Sequence, residues 1–267
     1  MGFQLKKISD HGCSNPIVAR LTIQTSDLLG FCTLPKERKE DVLVLYHEEV
    51  MPRLLTCDAI AHRVAKNMDD IFKLLEKEGP SMQAGGRVIE VPQVMNLQQD
   101  AEQYLYSAKC VLRDVAGVFK IFFGKEFAGA KYDKVLKWCG ERFGDDHALT
   151  KLIKEDHDLW LHQLITMRNA VEHPGTLRLR VRNIELIGNK LSLPTWQLND
   201  QKPCDLTQDM LIYIENMLTF CEDLLVAGIE NAGKLPGVGF AEIPKDDRRP
   251  ECPIRLKAVL TGPGPSI

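Results

Sequence analysis

Residues 153–174 read IKEDHDLWLHQLITMRNAVEHP. Ile153, Trp160, Leu164, Met167 and Val171 recur at helical spacing and fall within one narrow arc at about 100° per residue. A helix with a stripe of this kind buries it against other secondary structure, which points to a chain built from packed helices. Pro174 then stops the helix, because a pre-proline residue is pushed out of α geometry; the end is expected near Glu172. Just before the stop stand Arg168, Asn169 and His173. Arginine holds phosphate through its guanidinium fork, and histidine carries protons near neutral pH. On an ideal helix Arg168 and His173 would diverge by about 140°. Termination of the helix is what lets the two converge. Asp158, His162, Thr166, Asn169 and His173 form a polar stripe on the opposite face, with Asp158 and His162 placed for an i,i+4 pair.

Working outward, Ile17 to Gln24 reads as a short strand in a mixed N-terminal segment, residues 1–36. From Glu37 the pattern is helical. Pro52 is expected to break or kink that run, and Leu54, Ala61, Val64, Met68, Ile71 and Leu75 continue it. Gly79-Pro80 to Pro92, with Gly85-Gly86, reads as an exposed loop. Asn96, with Gln99 as capping-box partner, opens a long helix reaching Gly124. A shorter helix covers Asp133 to Phe143, and Asp145 or Asp146 caps the helix that carries Arg168 and His173. Leu177 to Arg182 alternates strictly, a strand signature. Gly188-Asn189 is a turn signal, and Leu191 to Trp196 is the expected return strand. Asp205 and Gln208 open a last long helix, with Leu211, Ile214, Leu218, Leu225 and Ile229 on its face, ending near Gly233. Residues 234–267 form a Pro/Gly-rich tail in which Ile254 to Leu260 can add a third strand beside the hairpin. The expected fold class is all-α: an antiparallel helix bundle over residues 37–233, with a small β appendage at about 176–198 inserted before the last long helix.

The chain has 267 residues, 44% of them hydrophobic and 27% charged, ordinary values for a globular protein. Its net charge of -3 argues against coating nucleic acid through bulk charge and leaves room for a local basic site. None of the eight cysteines forms a CxxC pair, so they read as reduced core thiols of an intracellular protein. No apolar run approaches the roughly 18 residues of a membrane span. Met1-Gly2 is followed by Lys6 where a myristoylation signal wants Ser or Thr. A cytoplasmic protein without membrane attachment is expected.

The segment Arg168-Asn169-x-x-x-His173, at the end of a bundle helix, resembles the R-x4–6-H signature of the HEPN superfamily. That resemblance covers about Glu37 to Gly233 and rests on the signature alone. It implies an α-helical bundle acting as a metal-independent endoribonuclease with no cofactor. It further implies a homodimer whose two signatures line one cleft, and an antitoxin or other protein partner. In that scheme His173 is general base or acid, Arg168 clamps the scissile phosphate, and Asn169 orients either group. The products are a 2′,3′-cyclic phosphate and a 5′-hydroxyl. Two other readings stay open. One is a helical module that binds RNA, a nucleotide or a protein without cutting. The other is a structural assembly protein, in which Arg168 pairs with Glu172 and both Arg168 and His173 merely complement the helix dipole.

Arg178, Arg180 and Arg182 project from one face of the expected strand. They read either as a phosphate-binding comb for RNA or as a solvated sheet face. His147, His157 and His162, with Asp156 and Asp158, lack the spacing of a helical metal pair. Gly237-x-Gly239 follows no strand in this reading and is no dinucleotide fingerprint.

Overall fold

A computed structural model describes residues 10–78, 81–82, 88–187 and 190–261. The chain is mostly helical, with small antiparallel sheets towards the C-terminus. In chain order the helices are α1 (Pro16–Val18), α2 (Thr25–Leu29), α3 (Lys36–Val44), α4 (Met51–Glu78), α5 (Leu97–Val115), α6 (Gly117–Phe123), α7 (Tyr132–Phe143), α8 (Ala148–Asp156), α9 (His162–Glu172) and α10 (Leu206–Ala232). Three wider π-helical stretches, Ala19–Gln24, Leu45–Val50 and His157–Leu161, join α1 to α2, α3 to α4 and α8 to α9. The strands are β1 (Ser81–Met82), β2 (Val88–Glu90), β3 (Leu179–Arg182), β4 (Glu185–Ile187), β5 (Lys190–Ser192), β6 (Thr195–Leu198), β7 (Cys204–Asp205), β8 (Val238–Glu242) and β9 (Leu256–Leu260). The chain divides into two compact units, one of Met1–Leu55, Cys110–Leu161 and Asn216–Ile267, the other of Thr56–Lys109 and His162–Glu215.

The first unit is organised around a buried carboxylate. Glu222, only 1% exposed, accepts from Arg20 Nε at 2.8 Å, Arg20 Nη2 at 2.5 Å, Gln24 Nε2 at 2.6 Å and Arg255 Nε at 2.7 Å. Arg255 also reaches Asp223, and the Gln24 amide oxygen accepts from the backbone N–H of Arg255 and Leu256. One charge thus fixes the N-terminal helical segment, α10 and the start of β9. Around it Tyr46 donates to the Cys221 carbonyl at 2.7 Å and Tyr132 to the Leu112 carbonyl at 2.8 Å, so both buried hydroxyls are satisfied. Residues 16–29, which include the expected strand Ile17 to Gln24, are helical: Asn15 Oδ1 accepts from the N–H groups of Ile17 and Val18 and starts the helix. β9 pairs with β8, a strand that local pattern did not mark, and not with the hairpin before α10.

The second unit holds the β appendage. β6 pairs with β3 on one side and β7 on the other, placing Val181 opposite Trp196 and Arg180 opposite Gln197. Trp196 is 1% exposed and donates its indole N–H to Asp209 at 2.7 Å. Tyr104 lies 6.2 Å from Trp196 and donates to the Met210 carbonyl at 2.7 Å. The expected return strand Leu191 to Trp196 is divided: β5 pairs with β4, and only β6 returns to β3. The division falls at Leu193-Pro194, where a proline without an N–H interrupts the ladder.

Several boundaries differ from expectation for local reasons. Pro52 does not break its helix: the run is helical from Lys36 to Glu78, with the wider π-helical Leu45–Val50 directly before the proline. His147, not an aspartate, caps α8, its Nδ1 accepting from Leu149 N–H at 3.2 Å. Asn96 precedes α5 at a φ of 58°, outside the extended geometry of a capping residue. Asp205 does cap α10, accepting from Gln208 N–H at 2.9 Å, but Leu211 on its expected apolar face is 41% exposed. Five cysteines are buried, whereas Cys13 is exposed and Cys204 and Cys252 are partly so. Two short strands, β1 and β2, pair within the expected loop, while Gly79-Pro80, Gly85-Gly86, Gly188-Asn189, Met1-Gly2 and Lys6 fall outside the described residues.

Two outcomes test this packing. Glu222→Ala leaves the buried Arg20 without its carboxylate and removes one of those engaged by Arg255, and is expected to cost about 3–5 kcal/mol in urea unfolding. Gly228→Ala sets a methyl 2.6 Å from the Phe122 ring and is expected to cost about 1–3 kcal/mol by the same measurement.

Candidate functional site

The Arg168–His173 segment lies in the second unit, at the end of α9. Leu164, Met167 and Ala170 are buried and fix the rotation of the helix, so Arg168 and Asn169 emerge on neighbouring parts of its other face. The helix ends at Glu172, and the His173 N–H donates to the Asn169 carbonyl at 2.8 Å as the chain leaves it. His173 itself is exposed. Pro174 accounts for the stop.

Arg168 is largely enclosed, with 12% of its side chain exposed. Its guanidinium carbon lies 5.3 Å from the centroid of the Tyr106 ring, which it covers. Nη1 stands 3.5 Å from Glu172 Oε2, within ion-pair range. Yet Nε and Nη1 are both buried and neither has a hydrogen-bond acceptor among the described residues. A guanidinium carries five donors, and each buried N–H left unmatched costs about 1–3 kcal/mol.

Lys109 of α5 completes the arrangement. Its Nζ donates to Asn169 Oδ1 at 2.8 Å and to Glu172 Oε2 at 3.2 Å. The Lys109 hydrogen bond, then its charge, then the Arg168 guanidinium hold the Glu172 carboxyl below the usual glutamate range; His173 contributes last. Glu172 therefore sits among three potentially cationic side chains. Nothing in the sequence marked Lys109 or Tyr106, because they lie on α5, some sixty positions before Arg168. The i,i+4 relation of Arg168 and Glu172 was readable, and the structure brings them together.

Arg178, Arg180 and Arg182 are all exposed, alternating with the partly buried Leu177, Leu179 and Val181. Arg178 precedes β3, and its backbone N–H is held by Asn199 Oδ1 at 2.8 Å. β3 lies against α9. None of the three guanidinium groups forms an ion pair among the described residues. Of the expected histidine group, His147 caps α8 and His157 Nδ1 lies 3.1 Å from Asp158 Oδ1. Among the described residues no group of three His, Cys, Asp or Glu side chains is placed to hold a metal ion. No described helix is long and apolar enough to cross a membrane.

No protein-family model, curated protein or solved structure matches this chain.

The Lys109 hydrogen bonds give a direct test. In Lys109→Met, the Glu172 titration followed by NMR is expected to move up towards the ordinary glutamate value. In the wild type the folded-state value is depressed, so Glu172 contributes fully above the ordinary carboxylate range. That contribution is lost as the pH falls through the depressed value.

Proposed function

We propose that this chain is a metal-independent endoribonuclease of HEPN type, built on an antiparallel helix bundle. The observation that carries the reading is that two enclosed Arg168 nitrogens, Nε and Nη1, make no hydrogen bond among the described residues, Glu172 approaching Nη1 only to 3.5 Å. A phosphodiester oxygen supplies an acceptor of the kind these donors lack. His173, exposed at the helix end, takes the proton of a ribose 2′-hydroxyl or returns one to the leaving oxygen, worth typically about 10²–10⁴-fold in rate. The Asn169 amide, its oxygen engaged by Lys109, orients the phosphate or the imidazole. Lys109 and Arg168 together stabilise the charge that develops on the phosphorane. The products are a 2′,3′-cyclic phosphate and a 5′-hydroxyl.

Arg178, Arg180 and Arg182 serve as the docking comb for the RNA backbone beside this centre. The active form is a homodimer with its two signatures facing one cleft, held in check by a protein partner. The eight free cysteines agree with a reducing compartment, the cytoplasm. The competing structural reading has its own support in the Arg168–Glu172 approach of 3.5 Å, which a helix-end clamp also explains.

Cleavage of a mixed RNA pool in EDTA separates the two. Wild-type protein is expected to cut, leaving cyclic phosphate ends, and His173→Ala and Arg168→Ala to cut at least about a hundredfold more slowly. An inactive wild type whose Arg168→Ala variant only melts earlier would establish the clamp instead. In the binding arm, Arg180→Ala with Arg182→Ala is expected to weaken RNA binding across sequences and to lower the salt slope by about one for each phosphate no longer neutralised.

A further inference from the structure

The first unit contains a hollow that the ribonuclease reading does not use. Its volume is about 460 Å³, within the range of small-ligand sites. α7 supplies one wall. Lys134 and Lys137, three residues apart, lie along one side of the helix, and Lys131 immediately precedes it. The chain leaving α6 supplies the other wall. Gly124 ends that helix in the left-handed conformation, at a φ of 70°, and turns Lys125 and Phe127 back towards α7.

The floor is aromatic and held in place. Phe127 and Trp138 meet edge to face, with centroids 5.8 Å apart. Phe119 packs in a similar way on both, at 5.5 and 5.9 Å, and Phe143 closes on Trp138 at 5.7 Å. Lys125 Nζ stands 5.8 Å from the Phe127 centroid, so that ring is already covered by a cation.

The charges do not cancel. Two carboxylates also line the hollow, but Glu126 is engaged by Lys120 at 3.3 Å and Glu141 by Lys137 at 3.8 Å. Lys125, Lys131 and Lys134 have no carboxylate partner among the described residues. Three uncompensated ammonium groups around one concavity repel one another, and a ligand with several closely spaced negative charges relieves that repulsion. Ammonium groups are compact point charges on flexible stems, suited to phosphate clusters, whereas a planar carboxylate is better met by arginine.

We infer that this hollow is a binding site for a compact polyanion carrying two or more phosphate groups. Its charged walls recognise the phosphates; its floor, already covered by Lys125, contributes shape more than stacking. The site belongs to the unit that lacks Arg168 and stands independently of the proposed ribonuclease activity.

Calorimetric titration of the full chain at low salt tests it, with inorganic tripolyphosphate, ATP and adenosine as probes. Tripolyphosphate and ATP are expected to bind one site with similar affinity, and adenosine to give no heat. Lys131→Glu with Lys134→Glu is expected to weaken both at least about tenfold. Lys36→Glu with Lys77→Glu makes the same change in net charge at residues 85% and 80% exposed, and is expected to leave binding within about twofold. Circular dichroism melting confirms that each variant is folded. The inference is overturned if tripolyphosphate gives no heat at about 1 mM. Equal weakening in both double variants would also overturn it, as would binding of ATP without tripolyphosphate. So would binding abolished by Arg168→Ala and untouched by the Lys131/Lys134 pair.

Discussion

Glu222 is the constraint on which the first unit depends. A carboxylate at 1% exposure is tolerable only when its acceptor capacity is filled, and four donors from Arg20, Gln24 and Arg255 fill it. Such a group contributes less to net stability than a well-packed apolar core would, but it is exacting about geometry. Helical residues 19–24 must present an arginine and an amide at one height, and the segment before β9 must deliver a second arginine to the same carboxylate. A small shift of any of the three leaves a charge buried without its partner. The placement of the C-terminal strand pair, which a Pro/Gly-rich composition leaves open, follows from this requirement.

The second unit solves a different problem. Trp196, Tyr104 and Asp209 lock the small sheet against α10, and the buried side of α9 fixes which residues face outward. Arg168 then rests on Tyr106 and is bounded by Glu172, while Lys109 draws Glu172 and Asn169 together. The lysine therefore acts on the arginine at one remove. Its ammonium donates to Glu172 Oε2, the same oxygen that stands 3.5 Å from the guanidinium. Positive charge is concentrated at a helix C-terminus, where the helix dipole already favours cations.

Periodicity made much of this legible. Of the expected stripe Ile153, Trp160, Leu164, Met167 and Val171, the first four are buried and Val171 is half-buried, and a proline placed the end of α9 at the right residue. The strand expected over Leu177 to Arg182 forms from Leu179 on, and the Asp205 cap was likewise a local signal that tertiary structure left intact. The failures have a common cause. Residues 17–24 carry β-branched side chains that read as a strand, yet Arg20 and Gln24 share one helical face because a buried carboxylate some two hundred positions away requires it. The mate of β9 was missed because β8 holds a glycine and shows little alternation. At the site, the sequence displayed Arg168, Asn169 and His173 but could not display Lys109, since no local pattern relates residues so far apart in the chain. The hollow beside α7 was hidden too: its lysines read individually as solvated charge, and only the fold shows that three lack carboxylate partners among the described residues.

The discontinuity of the first unit has a consequence for synthesis. Arg20 meets Glu222 across 202 residues, and Gln24 meets Arg255 and Leu256 across 231 and 232. At a ribosomal rate of about 5–20 residues per second, the N-terminal helix waits roughly 10–40 s for its acceptor to be made. Until then the segment that carries Leu21, Leu28 and Leu29, all buried in the finished protein, lacks the α10 carboxylate that anchors it. A ribosome that stalls before Arg255 releases a chain whose N-terminal and late helices have both been made but whose shared carboxylate lacks one of its two arginines.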